Sequence, residues 1–157
     1  MRKRIITVGS APAAQPEPAW LDLERLAQVG ISSEEDAHPV ESALAQQATG
    51  GWRASLPGEQ TIRLLFDEPQ RVRRIQLLFR EDELERTQEF VLGSMSDGME
   101  YYSEIVRQQY NFSPPVTTLE VEDYQVNLEG VRALELRIIP DISGGQARAS
   151  LLQLRLA

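Results

Sequence analysis

The only histidine of the chain lies in a short acidic segment. His38 follows Glu34, Glu35 and Asp36 in a sequence of 157 residues. An imidazole beside carboxylates has the chemistry of a metal ligand or of a pH switch. The alternative is a loop or capping residue, which Pro39 favours because the residue before a proline avoids helical backbone. The segment is a candidate polar site, and both interpretations of the histidine stay open.

The remaining residues with catalytic chemistry argue against an enzyme. The chain has no cysteine and no second histidine, which excludes a thiolate nucleophile, a Cys-ligated zinc and a multi-histidine metal centre. Residues 93–98, Gly-Ser-Met-Ser-Asp-Gly, lack the pattern of a nucleophile elbow. Carboxylate pairs occur in any acidic protein and do not by themselves indicate a glycosidase. We therefore predict a protein without catalytic residues.

The charge balance limits the partners. Sixteen Lys and Arg residues stand against 24 Asp and Glu residues, which gives a formal net charge of −8. Nucleic acids and anionic membranes attract positive charge, so neither is predicted as a partner. The basic start Met1–Arg4 is not followed by the apolar core of a secretory signal. These features predict a soluble, cytoplasmic protein.

From residue 60 onward, apolar and polar side chains alternate. A period of two predicts strands with one buried face, because successive side chains point to opposite sides of a strand. The intervals are too short for helical crossovers, which predicts antiparallel pairing. Seven or eight strands in about 100 residues indicate a β-sandwich or jelly roll. The predicted strands are 62–66, 74–80, 90–95, 102–107, 118–121, 134–138 and 152–156, separated by turn signals at 67–69, 96–98, 113–115, 129–130 and 143–145.

The first part of the chain has a different pattern. Three prolines in residues 9–18 predict an extended arm. Apolar spacing in residues 20–27 fits a helical face loosely and predicts either a short helix or an irregular lead-in. Residues 38–48 predict one or two helical turns.

Six segments resemble the discoidin or coagulation-factor type C domains, which belong to the galactose-binding-domain-like jelly rolls. They include a Thr-Gly-Gly-Trp at 49–52 and a Ser-Asp-Gly at 96–98, and they occur in the order of that family. The resemblance covers residues 26–157, with an arm and lead-in at 1–25. It implies an all-β, antiparallel jelly-roll β-sandwich with short N-terminal helical pieces. The segments are Val29–Glu34, Thr49–Ser55, Ile62–Val72, Thr87–Gly98, Leu134–Pro140 and Ala149–Leu156.

The resemblance also implies ligand binding by loops at one end of the sandwich. By position these loops are Ser32–Val40, Gly50–Gln60 and Arg80–Thr87. An aromatic face covers the C–H patch of a sugar, and arginine and carboxylate groups bind its hydroxyls. For the tryptophan of the second loop, the alternative is packing beneath the loops. The predicted ligand-binding residues are Trp52, Arg53, Glu34, Asp36, His38 and Arg86.

Many members of this family hold calcium next to the Thr-Gly-Trp segment. Here residues 45–50 contain no acid, whereas calcium takes six to eight oxygen ligands that usually include carboxylates. No metal or cofactor is therefore predicted, and calcium held by backbone carbonyls is the open alternative. The acidic run Glu81–Glu85 is interpreted as a solvated hairpin, with calcium binding as its alternative.

Residues 108–115 combine two glutamines and two aromatics before a Pro-Pro pair. They form either a recognition edge or a loop that Tyr110 and Phe112 pin into the core.

Taken together, the sequence predicts a non-catalytic module that binds carbohydrate through the loop end of the sandwich. The alternative is an intracellular adaptor of the same fold that binds another protein, which the missing signal peptide and acidic loops favour.

Overall fold

The computed structural model describes residues 19–47 and 49–157, so the predicted arm at 9–18 lies outside the described residues. The described chain begins with one helical turn, α1 (Leu23–Leu26), and strand β1 (Ala27–Ile31). A second helical turn, α2 (Glu41–Leu44), follows. Neither helix is long and apolar enough to cross a membrane. The short N-terminal helical pieces are thus confirmed.

The rest of the described chain is mainly β-strand. The named strands pair antiparallel throughout. The larger sheet has the order β1-β3-β6-β4-β5 with β8 also paired to β3, and β2 and β7 form a second, two-stranded sheet. This confirms the predicted all-β antiparallel fold. The strands are β2 (Trp52–Pro57), β3 (Gln60–Arg80), β4 (Arg86–Ser96), β5 (Ser103–Phe112), β6 (Leu119–Ile139), β7 (Arg148–Leu151) and β8 (Gln153–Leu156).

Two strands of 21 residues each, β3 and β6, run side by side through the larger sheet. The first part of β3 pairs with β1, and the part from Ile75 to Leu78 pairs with β8. Between these parts the register of β3 against β6 shifts three times, from Leu65 to Arg74. Bulges of this kind bend a strand, so the larger sheet curves along β3 and β6.

The turns predicted at 67–69 and 129–130 are therefore wrong, because both segments are bends inside long strands. Gly130 has a φ of 63°, a left-handed conformation that glycine adopts without strain. The predicted loop 50–60 is also corrected, since most of it forms strand β2.

Apolar side chains from both layers fill the core. Phe79 and Phe90 stack there with their ring centroids 5.2 Å apart, and neither ring is accessible to solvent. Part of the lead-in packs on the same domain: the backbone N–H of Leu21 donates to the carbonyl of Leu156 at 2.8 Å, and Leu23 is buried. The core thus holds both ends of the described chain.

Candidate functional site

An open cleft of about 240 Å³ lies where β3 ends and β4 begins. It brings together parts of all three predicted loops and adds β7, which the sequence did not assign to a site. Backbone pairing of Arg53 with Ser150 places β2 beside β7 along its edge. The lining residues are His38, Gly50, Trp52, Arg53, Arg80, Glu81, Asp82, Glu83, Leu84, Arg148, Ser150, Leu151 and Leu152.

Trp52 borders this cleft from below and belongs to the core. Its side chain is 1% exposed, and its Nε1 donates to the carbonyl of Ser33 at 3.0 Å. Two hydrogen bonds hold the loop that contains Ser33. The hydroxyl of Ser33 donates to Oε1 of Gln60 at 2.6 Å and accepts from the backbone N–H of Ser55 at 3.2 Å. A covered ring offers no face to a sugar. The assignment of Trp52 as a ligand contact is therefore corrected to its alternative, core packing.

One carboxylate holds two arginines of the cleft. Oε1 of Glu35 accepts from Nη1 of Arg148 at 2.9 Å and lies 3.6 Å from Nε of Arg53. The two guanidinium side chains remain 42% and 50% exposed. Glu35 itself is fixed, because its N–H donates to the carbonyl of Arg53 at 2.8 Å. Both arginines line the cleft with partly exposed guanidinium groups, and Arg148 is held by its hydrogen bond to Glu35, so both can offer N–H donors to ligand oxygens.

The other predicted residues of the first loop lie around this pair. Oε2 of Glu34 accepts from the N–H of Val40 at 2.9 Å and so fixes the loop before α2. Asp36 is exposed and does not line the cleft. His38 lines it, and its backbone bonds to Glu35 and Arg53, as its loop interpretation expects. Within residues 19–47 and 49–157, no three His, Asp or Glu side chains are grouped to hold a metal ion.

The acidic loop between β3 and β4 is held by arginines. Burial raises the pKa of Glu81, but hydrogen bonds from Arg86 and from the N–H groups of Glu83 and Leu84 outweigh it and leave this pKa below its ordinary value. Asp82 pairs with Nε of Arg80 at 3.1 Å. The loop therefore presents carboxylates beside the arginines of the cleft, and the pKa of Glu81 is lowered there.

Arg86 lies beneath that loop and does not line the cleft. It is 4% exposed, its Nε donates to Oε1 of Glu81 at 2.7 Å, and its Nη1 donates to the carbonyl of Pro140 at 2.7 Å. The guanidinium carbon lies 4.8 Å from the ring centroid of Phe112. Toward this cleft, Arg86 acts by positioning Glu81.

The segment 108–115 takes the second of its two predicted forms. Phe112 is fully buried, Tyr110 packs edge-on against it at 5.0 Å, and the hydroxyl of Tyr110 donates to the carbonyl of Leu119. The aromatics therefore pin this end of β5 into the domain.

Solved structures match this chain in fold, whereas no family model and no curated protein matches it. The family 32 carbohydrate-binding module (CBM) of NanJ from C. perfringens, solved with galactose, gives a TM-score of 0.65 at 13% identity over 87% of this chain and 96% of that one. The CBM32 of AlyQ, in complex with 4,5-unsaturated mannuronic acid, gives 0.62 at 16% identity over 89% and 98%.

A pectin-binding carbohydrate-binding module gives a TM-score of 0.59 at 15% identity, over 83% of this chain and 89% of that one. At such identities the likeness shows the fold alone, which is the antiparallel β-sandwich of these modules. The narrower resemblance to discoidin domains stays a prediction, because no family model matches the chain.

Proposed function

We propose that this chain is a non-catalytic carbohydrate-binding module whose ligand lies in the cleft beside Arg53 and Arg148. The observation that carries the proposal is the pair of half-exposed guanidinium groups that meet at Glu35, Arg148 by a hydrogen bond and Arg53 by an ion pair at 3.6 Å. Sugar hydroxyls need donors and acceptors in a rigid array, and the arginines and the carboxylates of the β3–β4 loop provide both. The fold is shared with modules that bind galactose, an unsaturated mannuronic acid and pectin.

The composition of the cleft shapes the affinity. Trp52 is covered, and Leu84, 52% exposed, is the large exposed apolar side chain on the rim. A ligand therefore gains hydrogen bonds but little apolar burial. Polar contacts between exposed partners are individually weak, so we expect a dissociation constant for a single sugar residue of about 1 mM, equivalent to roughly −4 kcal/mol.

Binding without chemistry is consistent with the same side chains. Covalent or acid–base catalysis needs a nucleophile within hydrogen-bond reach of a base. In the part of the chain that the structure describes, the imidazole of His38 makes no hydrogen bond to a hydroxyl or a carboxylate. Two carboxylates of the loop, Glu81 and Asp82, are bonded to arginines or backbone N–H groups. They serve as acceptors and anchors.

A glycan array followed by titration calorimetry tests the proposal, with Arg53→Met as the informative variant. Arg71→Met is a matched control, because the Arg71 side chain is 49% exposed and lies 3.6 Å from Glu129, values nearly equal to those of the Arg53–Glu35 pair. We expect Arg53→Met to weaken binding about tenfold, which corresponds to about 1.4 kcal/mol, and Arg71→Met to leave it unchanged.

Binding to no glycan, with or without calcium, would overturn the proposal and favour the protein-binding adaptor. An array hit whose affinity is equal in wild type and in Arg53→Met would move the ligand away from this cleft.

A further inference from the structure

A second recess, of about 360 Å³, adjoins the same β3–β4 loop. Its walls come from the start of β4, the end of β5 and the loop after β6. Glu81 of the first cleft is bonded to Arg86 of this recess at 2.7 Å, so one ion pair separates the two. The lining residues are Glu85, Arg86, Thr87, Asn111, Phe112, Ser113, Asp141 and Ser143.

Arg86 gives this recess a built polar wall. Its side chain is 2% exposed, and Nε and Nη1 donate to Glu81, Gln88 and Pro140. Nη2 donates to none of the described residues. It is not fully buried either, since the only fully buried side-chain N or O atoms without a partner in the described chain are Trp20 Nε1 and Glu120 Oε2. Nη2 is therefore not sealed from solvent, and Arg86 is a lining residue of the recess.

This donor is held in place before any ligand arrives. Three hydrogen bonds and the ring of Phe112 at 4.8 Å fix the guanidinium. A donor fixed in this way loses little conformational entropy when it binds, which raises affinity.

The neighbouring groups favour an uncharged ligand rich in hydroxyls. The hydroxyl of Thr87 donates to Oδ1 of Asn111 at 2.6 Å, which leaves the Asn111 amide N–H₂ available as a donor. Asp141 accepts from the N–H of Ser143 at 3.0 Å, and Glu85 is exposed nearby. These two carboxylates repel a ligand anion but accept hydrogen bonds from hydroxyls.

We infer that this recess is a second sugar subsite, so that the module binds an oligosaccharide with a neutral residue at Arg86 and Asn111 and another residue in the first cleft. The inference rests on the proposed function and adds the length and charge of the ligand. The shared Glu81–Arg86 ion pair places the two subsites beside each other.

Calorimetry with two sugar series tests the inference. The neutral series is galactose, GalNAc-β-1,3-galactose and the Lewis b oligosaccharide; the charged series is galacturonic acid and its trimer. We expect the longest neutral glycan to bind at least tenfold more tightly than galactose, and the galacturonic acid trimer to gain less than threefold over its monomer.

The Asn111→Ala variant separates the two subsites. It should weaken binding of the longest neutral glycan threefold or more and leave galactose binding unchanged. Asn127→Ala is the matched control, because Asn127 is also exposed on a strand with one side-chain hydrogen bond, from Arg71 at 3.1 Å.

Neutral glycans that bind no more tightly than galactose would overturn the inference, and so would an Asn111→Ala variant that binds them all like wild type. In both cases loss of binding in Arg53→Met would leave the proposed function standing. Absence of binding to every sugar would remove both.

Discussion

Glu120 is a carboxyl group inside the sandwich, and it makes stability depend on pH. It is 1% exposed, Oε1 accepts from Nε2 of Gln88 at 3.1 Å, and Oε2 has no partner among the described residues. Burial raises the pKa of Glu120 to about 9, the neighbouring carboxyl group of Glu122 acts in the same direction, and Gln88 and Arg86 oppose the shift. The folded protein therefore keeps this group protonated at neutral pH.

The sign of the effect follows from the two pKa values. The unfolded chain releases this proton near the ordinary value of 4.5, whereas the folded chain holds it to about pH 9. The contribution of protonated Glu120 to the free energy of unfolding is therefore fully present below about pH 4.5 and is lost as the pH rises toward 9. At about 1.4 kcal/mol per pH unit, the free energy of unfolding falls by on the order of 4 kcal/mol between pH 5 and pH 8. That is a large part of the roughly 5–15 kcal/mol of a typical domain.

Urea unfolding followed by circular dichroism at pH 5, 6, 7 and 8 measures this slope. Glu120→Gln should abolish most of it, whatever the variant's absolute stability, because glutamine does not titrate. Glu129→Gln is the control, since that side chain is 73% exposed and should leave the slope unchanged. Wild-type stability that is flat across this range, or a Glu120→Gln variant that keeps the slope, would refute the reasoning.

Three further substitutions, two of them with a comparison variant, test the core and the turn beside the cleft. Trp52→Ala should lower the free energy of unfolding by about 3–5 kcal/mol and the melting temperature by on the order of 10 °C, because it empties a fully packed site; unchanged thermal stability with lost sugar binding would contradict the core role. Gly51→Ala should destabilise strongly in urea melts, because its φ is +77° and a Cβ there would lie 2.5 Å from the carbonyl oxygen of Leu151. Gly58→Ala shares the left-handed backbone but meets nothing within 4 Å, so it should cost only about 1 kcal/mol; equal losses in the two glycine variants would argue against the close approach. Phe90→Ala should cost about 3–5 kcal/mol by the same melts, since it removes the stacked partner of Phe79; a smaller loss than in an exposed Leu65→Ala variant would be inconsistent with the core.

The strands were predictable because alternation survives bending. Ile62, Leu64 and Phe66 face the core, as do Ile75, Leu77 and Phe79 farther along the same strand. The intervening Asp-Glu-Pro looks like a hairpin turn because bulges and turns use the same residue types. Only the pairing partner distinguishes them, and one strand does not contain that information.

The site was harder to predict than the loops that carry it, and β2 shows why. Trp52 and Ala54 are buried and Arg53 is exposed, which is ordinary strand alternation. Treated as a loop, the segment gives no rule for side-chain direction; treated as a strand, it places Trp52 inside and Arg53 outside.

The first loop has no such rule, because its turn from Glu35 to His38 is irregular. Three consecutive acids, Glu34, Glu35 and Asp36, have nearly the same chemistry, and only the middle one pairs with the cleft arginines. The polar contacts of the cleft therefore depend on tertiary geometry. Since the ring of Trp52 is covered, we expect ligand specificity to follow the pattern of sugar hydroxyls rather than ring stacking. On a glycan array, the binding signals of epimers that differ at one hydroxyl should therefore differ more than those of sugars that differ in apolar substituents.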